Sequence, residues 1–138
     1  MIPYLIIFIL SLSLCLADEY SNGVSGAFAI SVHQTVSGVI DYGGDLDYFQ
    51  ITFLAGRTYQ ITMQSSAFDN HLKLLSPSLS LLSSVDDAIG LNAQITVATS
   101  TAGAYYIEAS GLTSSDTGGY TLGVVDLTPC SGSCTSFY

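Results

Sequence analysis

Hydrophobic and polar residues alternate with a period of two along most of the chain after residue 35. In "YFQITFLA", Phe49, Ile51 and Phe53 fall on one face while Gln50 and Thr52 fall on the other. In "RTYQITMQ", Tyr59, Ile61 and Met63 share a face opposite Thr58, Gln60, Thr62 and Gln64. Two-residue spacing is that of a strand with one buried side. Ala55-Gly56-Arg57 between the two runs supplies the glycine a tight turn needs, so residues 48–64 predict a hairpin.

The alternation recurs down the chain. Leu72 and Leu74 alternate with His71 and Lys73, and Ile95 and Val97 with Gln94 and Thr96. Tyr105, Ile107 and Ala109 alternate with Tyr106, Glu108 and Ser110, and Tyr120, Leu122 and Val124 with Thr121, Gly123 and Val125. Turn-forming residues separate them: Asp69-Asn70, Ser76-Pro77-Ser78, Asp86-Asp87, Ala102-Gly103 and Asp116 to Gly119. No stretch beyond residue 17 has a helical period. Short strands with turns between them predict an all-β domain, an antiparallel β-sandwich of jelly-roll-like type, over residues 18–126. The alternation stops after Asp126, leaving residues 127–138 as a tail whose Pro129 ends the last strand.

The first residues change the picture of where this domain works. Residues 1–17 carry no charged side chain, and Cys15-Leu16-Ala17 stands before Asp18-Glu19. Small residues at the last and third-last positions of such a run suit a signal peptidase, so residues 1–17 read as a signal peptide and the mature protein as secreted. A retained membrane helix is the rival, at about the lower length limit for spanning a bilayer. After cleavage the reading places nothing in the membrane.

Charge narrows the partners. The chain has two Lys/Arg, eleven Asp/Glu and a net charge of −9. Nucleic-acid binding requires a basic surface and is excluded. Charged residues make up only 9% of the chain, so its polar surface is built from Ser, Thr, Gln, Gly and Tyr. Such groups re-pair across an interface more easily than ammonium groups, which suits packing against copies of the same chain; the alternative is the ordinary Ser/Thr-rich surface of extracellular β-proteins.

These elements together carry a family likeness. "VSGVIDYGGDLDYFQITFLAGRTYQITM", then "LKLLSPSLSLLSSVDD", "AGAYYIEASG" and "TGGYTLGVV" resemble, in order, the bacterial pre-peptidase C-terminal domain, a β-sandwich appended to many secreted peptidases. "DEYSNG" resembles the acidic, Asn-containing segment that often precedes it. The resemblance covers residues 18–126. It implies the fold directly. A role as helper of a protease follows less directly, since here the module stands behind its own signal peptide.

The resemblance also implies chemistry. Some members bind calcium through acidic residues at the amino-terminal entrance and beside an Asp-x-Asp strand, which here are Asp18, Glu19, Asn22, Asp45 and Asp47, with Asp86 and Asp87 as second choices. Carboxylates gathered from several loops suit a hard cation that takes six to eight oxygens. Asp45 and Asp47 are equally suited to capping turn amides. Certain members bind collagen or polysaccharide through exposed tyrosines, which makes Tyr42, Tyr48 and Tyr106 candidates for binding an extracellular polymer. One-sided cross-strand packing is the alternative for these rings.

Cys130 and Cys134 remain after cleavage, an even count in an oxidising compartment, and predict a local disulfide in the tail. Pairing with another chain and a metal site are the alternatives. No Gly-x-Ser-x-Gly elbow, His-Glu-x-x-His or phosphate-binding glycine loop occurs, and His33 and His71 lie on polar positions, so the chain reads as non-catalytic. Two functions remain, of which the first is the main reading and the second the alternative. One is a structural subunit that assembles with copies of itself into a filament, sheath or surface layer, the apolar "SGAFAISVHQ" serving as an edge strand for its own sheet or a neighbour's. The other is a monomeric accessory module that binds a matrix polymer, a polysaccharide or a separately encoded protease.

Overall fold

Strand period dictates the architecture. In the computed structural model, which describes residues 18–129, the alternating runs form strands whose apolar faces meet between two sheets. The predicted signal peptide, residues 1–17, and the predicted Cys130–Cys134 bridge lie outside the described residues. The strands are β1 (Phe28–Ile30), β2 (Thr35–Ile40), β3 (Leu46–Phe53), β4 (Arg57–Gln64), β5 (Asn70–Leu75), β6 (Leu81–Val85), β7 (Gln94–Thr99), β8 (Gly103–Gly111) and β9 (Gly118–Asp126). One sheet has the order β1-β3-β8-β5-β6 and the other β2-β9-β4-β7. Every pairing is antiparallel except that of β1 with β3. This is an all-β sandwich, as the sequence predicts.

The predicted inward residues fill the space between the sheets. Phe49, Ile51 and Phe53 of β3 and Tyr59, Ile61 and Met63 of β4 are buried with Leu72, Leu74, Ile95, Ile107, Leu122 and Val124. Burying a side chain of this size stabilises by about 1.5–3 kcal/mol, so the alternation alone supplies the main driving force. Val97, also expected inside, is only partly buried because β7 is an edge strand. The β3–β4 turn is held from both sides. Gly56 takes a φ of +74°, which a side chain would resist, and the Tyr59 hydroxyl accepts from the Leu54 amide at 3.0 Å while its ring stacks on Phe53.

The segment "SGAFAISVHQ" contributes β1, an edge strand of its own chain's sheet, and departs from the antiparallel expectation only in pairing parallel with β3, Phe28 opposite Phe49. Strand β6 has no clean alternation: Leu81 and Leu82 are both exposed, and the register with β5 breaks between Leu74 and Leu75. Neighbouring strands run oppositely, so the starts of β3, β5, β7 and β9 and the ends of β2, β4, β6 and β8 share one end of the sandwich.

Candidate metal centre at the carboxylate end

That shared end collects nearly all the acid. Lys73 Nζ lies 2.9 Å from Glu108 Oε1, and Arg57 bonds Asp126 at 3.0 Å, so both cations of the chain are matched. The other nine acidic side chains (Asp18, Glu19, Asp41, Asp45, Asp47, Asp69, Asp86, Asp87 and Asp116) all sit in loops or strand starts at one end. The whole net charge of −9 therefore belongs to one end of the molecule.

Asp45 and Asp47 are the unusual members, because both are fully buried. Asp47 continues the inward series Phe49, Ile51, Phe53 back along β3, and Asp45 precedes it in the turn. Asp45 Oδ2 accepts from the Asp41 amide at 2.7 Å, which is the turn-capping role its residue type favours. Asp47 Oδ2 accepts from the Tyr120 hydroxyl at 2.5 Å. The other oxygen of each, Oδ1, is buried with no hydrogen-bond partner among the described residues. Oxygens of Asp18, Asp45 and Asp47 lie within 4.8 Å of one another, as do those of Asp18, Glu19 and Asp41, so Asp18 belongs to both groups.

The amino-terminal segment is pinned over this spot. Asp18 Oδ2 accepts from Asn22 Nδ2 at 2.9 Å, Asn22 Oδ1 accepts from the Leu46 amide at 2.9 Å, and Glu19 Oε1 accepts from the Val39 amide at 2.5 Å. The Tyr20 ring packs against Phe28 and Phe49, and its hydroxyl donates to the Ser37 carbonyl at 2.8 Å. Asn22 thus spends its oxygen on the backbone and acts as a brace. Crowding has an electrostatic consequence. Burial, joined by the charges of Asp45, Glu19 and Asp18, pushes the Asp47 carboxyl up to about 7 against the opposing pull of the Tyr120 hydroxyl. Burial likewise raises Asp45, with Asp18 and Asp41 adding to it against its backbone hydrogen bonds.

The donor set fits a hard divalent cation. Two oxygens up to 4.8 Å apart reach one ion from opposite sides at the 2.3–2.6 Å typical of calcium. A cation there would give the two orphaned oxygens a partner and relieve the repulsion among the carboxylates. Asp86 and Asp87 belong to neither close group. They stand near Asp69 and Asp116 at the same end, where burial and the charges of Asp87, Asp116 and Asp86 raise the Asp69 carboxyl.

The three tyrosines separate. Tyr42 lies half exposed in the turn before Asp45, at the acidic end. Tyr48 and Tyr106 are diagonal neighbours on the outer face of the five-stranded sheet, where Tyr48 opposes Glu108 and Gln50 opposes Tyr106. Tyr48 donates to Glu108 Oε2, and burial with that carboxylate raises its phenol to about 12. Tyr48 is therefore part of a Tyr48–Glu108–Lys73 row across β3, β8 and β5, while Tyr106 has only a long 3.5 Å contact from Gln50 Nε2. On the same face His71 Nε2 and Ser84 Oγ lie 2.8 Å apart, and no carboxylate among the described residues bonds that imidazole.

Two participants lie outside the predicted ligand set: Asp41 joins the second oxygen group, and Tyr120 anchors Asp47 from the opposite sheet. The signal for buried carboxylates was present as the inward parity of Asp47.

The architecture is that of a known class. The chain superposes on the pre-peptidase C-terminal domain of collagenase from Bacillus anthracis with a TM-score of 0.59 and 20% identity, covering 75% of this chain and 99% of that one. It also superposes on a periplasmic inhibitor of g-type lysozyme from Aeromonas hydrophila, with a TM-score of 0.58 and 16% identity over 72% and 96% of the two chains. No family model matches the sequence, and no curated protein sequence matches it. The fold is thus that of the pre-peptidase C-terminal domain.

Proposed function

We propose that this chain is a secreted, non-catalytic binding module whose amino-terminal entrance is locked by calcium. The observation that carries the calcium reading is the pair of fully buried carboxylates, Asp45 and Asp47, each with an orphaned oxygen beside Asp18. Leaving such groups unpaired costs folding free energy, and a bound cation offsets that cost. Asp18, Asp41, Asp45 and Asp47, with Glu19 at the rim, are the residues that would hold it.

The binding reading is supported by the fold. One similar structure is a domain of a collagenase, and the other is an inhibitor of a lysozyme. This favours an accessory module for an extracellular polymer or protein over a filament subunit. Tyr106 on the outer face and Tyr42 at the acidic end are the rings with surface left to offer a partner.

The test is twofold. Calorimetric titration of residues 18–138 with calcium and magnesium examines the metal, and an Asp45→Asn/Asp47→Asn double variant should lose the calcium signal. Co-sedimentation with insoluble collagen, chitin, cellulose and peptidoglycan, and capture with g-type lysozyme, examine the partner. Retention by none of these, together with large polydisperse species on light scattering, would return the structural-subunit reading to the front.

A further inference from the structure

Opposite the carboxylate end, the sandwich carries a second set of oddities that the calcium site does not use. Edge strands β6 and β7 lie on the same flank, and a concavity of about 440 Å³ opens between them. Pro77, Leu82, Val97, Ala98 and Tyr105 give it an apolar lining, and no ionisable group other than the Tyr105 phenol is among its walls. That phenol donates to the Thr101 carbonyl at 2.7 Å.

Leu82 has no cross-strand partner, because Ser83 faces Leu74 and Leu81 faces Leu75. The bulge so formed turns a leucine toward the concavity that regular pairing would have placed elsewhere. Next to it, Leu79 adopts a φ of +66°, a left-handed conformation that a leucine resists, and is 50% exposed. The turn is built to hold it there: the Leu79 amide donates to the Ser76 carbonyl at 2.8 Å, Ser76 Oγ meets Ser78 Oγ at 2.8 Å, and the Ser80 amide donates to Ser76 Oγ at 3.1 Å. The bulged Leu82 lines the concavity together with Ser76, Pro77 and Ser78, the residues that lead into the strained Leu79.

The edges decide what fits. Among the described residues β7 pairs only with β4, and β6 only with β5, so each presents unpaired backbone amides and carbonyls beside the concavity. Of the two, β7 is free of register breaks. A site that needs backbone hydrogen bonds along one wall and apolar side chains in its floor is matched by polypeptide, not by sugar or acyl chain. Charge makes the same selection. The net −9 is confined to the far end, and the nearest charged pair, Arg57 and Asp126, is self-matched.

We propose that the β6–β7 groove receives an extended, uncharged segment of a partner protein, which adds to the free edge of β7 and inserts alternate apolar side chains against Leu82 and Tyr105, clasped by Leu79. This rests on the binding-module reading and specifies its partner as a polypeptide.

The experiment uses isotope-labelled residues 18–138 with calcium and a blocked octapeptide of alternating leucine and serine, with lysine–serine and glutamate–serine peptides for comparison. The leucine peptide should shift backbone amides within residues 76–82 and 97–101, and Leu82→Lys should weaken it by about tenfold or more. Leu79→Gly, which relaxes the left-handed residue, should leave the melting temperature equal or higher while weakening the peptide. Both variants should keep a cooperative melt and unshifted backbone amides in β3 and β9, which shows that they fold. The proposal is overturned if the leucine peptide shifts nothing there, or if its effect survives Leu82→Lys. It is equally overturned if the peptide-free protein shows concentration-dependent shifts at these residues, which would assign the groove to a second copy. Decyl maltoside shifting them where the peptide does not would assign it to an acyl chain and overturn the proposal too. Polymer or lysozyme retention that persists in Leu82→Lys would remove the groove and leave the binding-module reading standing.

Discussion

The Tyr120 hydroxyl, on β9 of the four-stranded sheet, donates to Asp47 Oδ2, on β3 of the five-stranded sheet, at 2.5 Å. Both side chains are buried, so this bond crosses the core and fixes the height of one carboxylate of the proposed calcium site from the opposite layer. Gly38 makes room for it. A Cβ at Gly38 would lie 2.4 Å from the Tyr120 oxygen.

Removing that hydroxyl should be costly. Tyr120→Phe leaves Asp47 with both oxygens unpartnered in the metal-free protein, a loss of about 1–3 kcal/mol. At roughly 4 °C per kcal/mol for a domain of this size, the melting temperature should fall by about 4–12 °C. Gly38→Ala should cost at least as much, because the Tyr120 ring must move. Paired thermal melts, with and without calcium, measure both. An unchanged melt for Tyr120→Phe would remove the cross-core anchor.

Calcium should stabilise the protein through the native state alone. At a free concentration one hundredfold above its dissociation constant, a ligand adds about 2.7 kcal/mol. EDTA should therefore lower the melting temperature by about 10 °C relative to saturating calcium. Asp47→Asn should abolish most of that difference, and Asp87→Asn should keep it, since Asp87 stands outside the close oxygen groups.

The metal-free protein should have an inverted pH response. Asp47 holds its proton in the folded state up to about pH 7, whereas an unfolded chain releases it near 4. The native state then binds more protons between these values, so this contribution is complete below about pH 4 and lost as pH rises through about 7. Each tenfold difference in proton affinity is about 1.4 kcal/mol, so the effect is on the order of a few kcal/mol. Hydrogen bonds from Thr113 lower Asp116, whose contribution runs the other way and is lost only as pH falls below the ordinary carboxylate range. Melts in EDTA across pH 4–8 should decline toward neutrality. Asp47→Asn should flatten that decline, and saturating calcium should cancel it by favouring the ionised carboxylate. A metal-free wild type most stable at pH 8 would contradict the assignment.

The two outer-face tyrosines should behave differently. Tyr48→Phe removes a donor from the Glu108 carboxylate beside Lys73 and should lower stability by about 1 kcal/mol without touching partner binding. Tyr106→Ala should leave the melting temperature within a few degrees. Any polymer retained by this face should lose affinity with Tyr106→Ala and keep it with Tyr48→Phe, as read by co-sedimentation.

Much of this molecule is written in its local pattern. Period two fixed Phe49, Ile51 and Phe53 against Tyr59, Ile61 and Met63, because a strand has only two faces and burial selects one. The same parity carried Asp47 inward, a consequence readable from the sequence once β3 is extended by one residue pair. The charge surplus was readable too, as was its concentration in turns. What only tertiary structure decided was which strands became neighbours. That choice brought Tyr120 to Asp47 across 73 positions, set Asp18 beside Asp45, matched Glu108 to Lys73 and Asp126 to Arg57, and left β6 and β7 as open edges around a leucine-lined groove. Alternation states that a face is buried. It carries no information about what lies against it, because hydrophobic burial is non-directional, and partners are selected by sheet order and register across the whole chain.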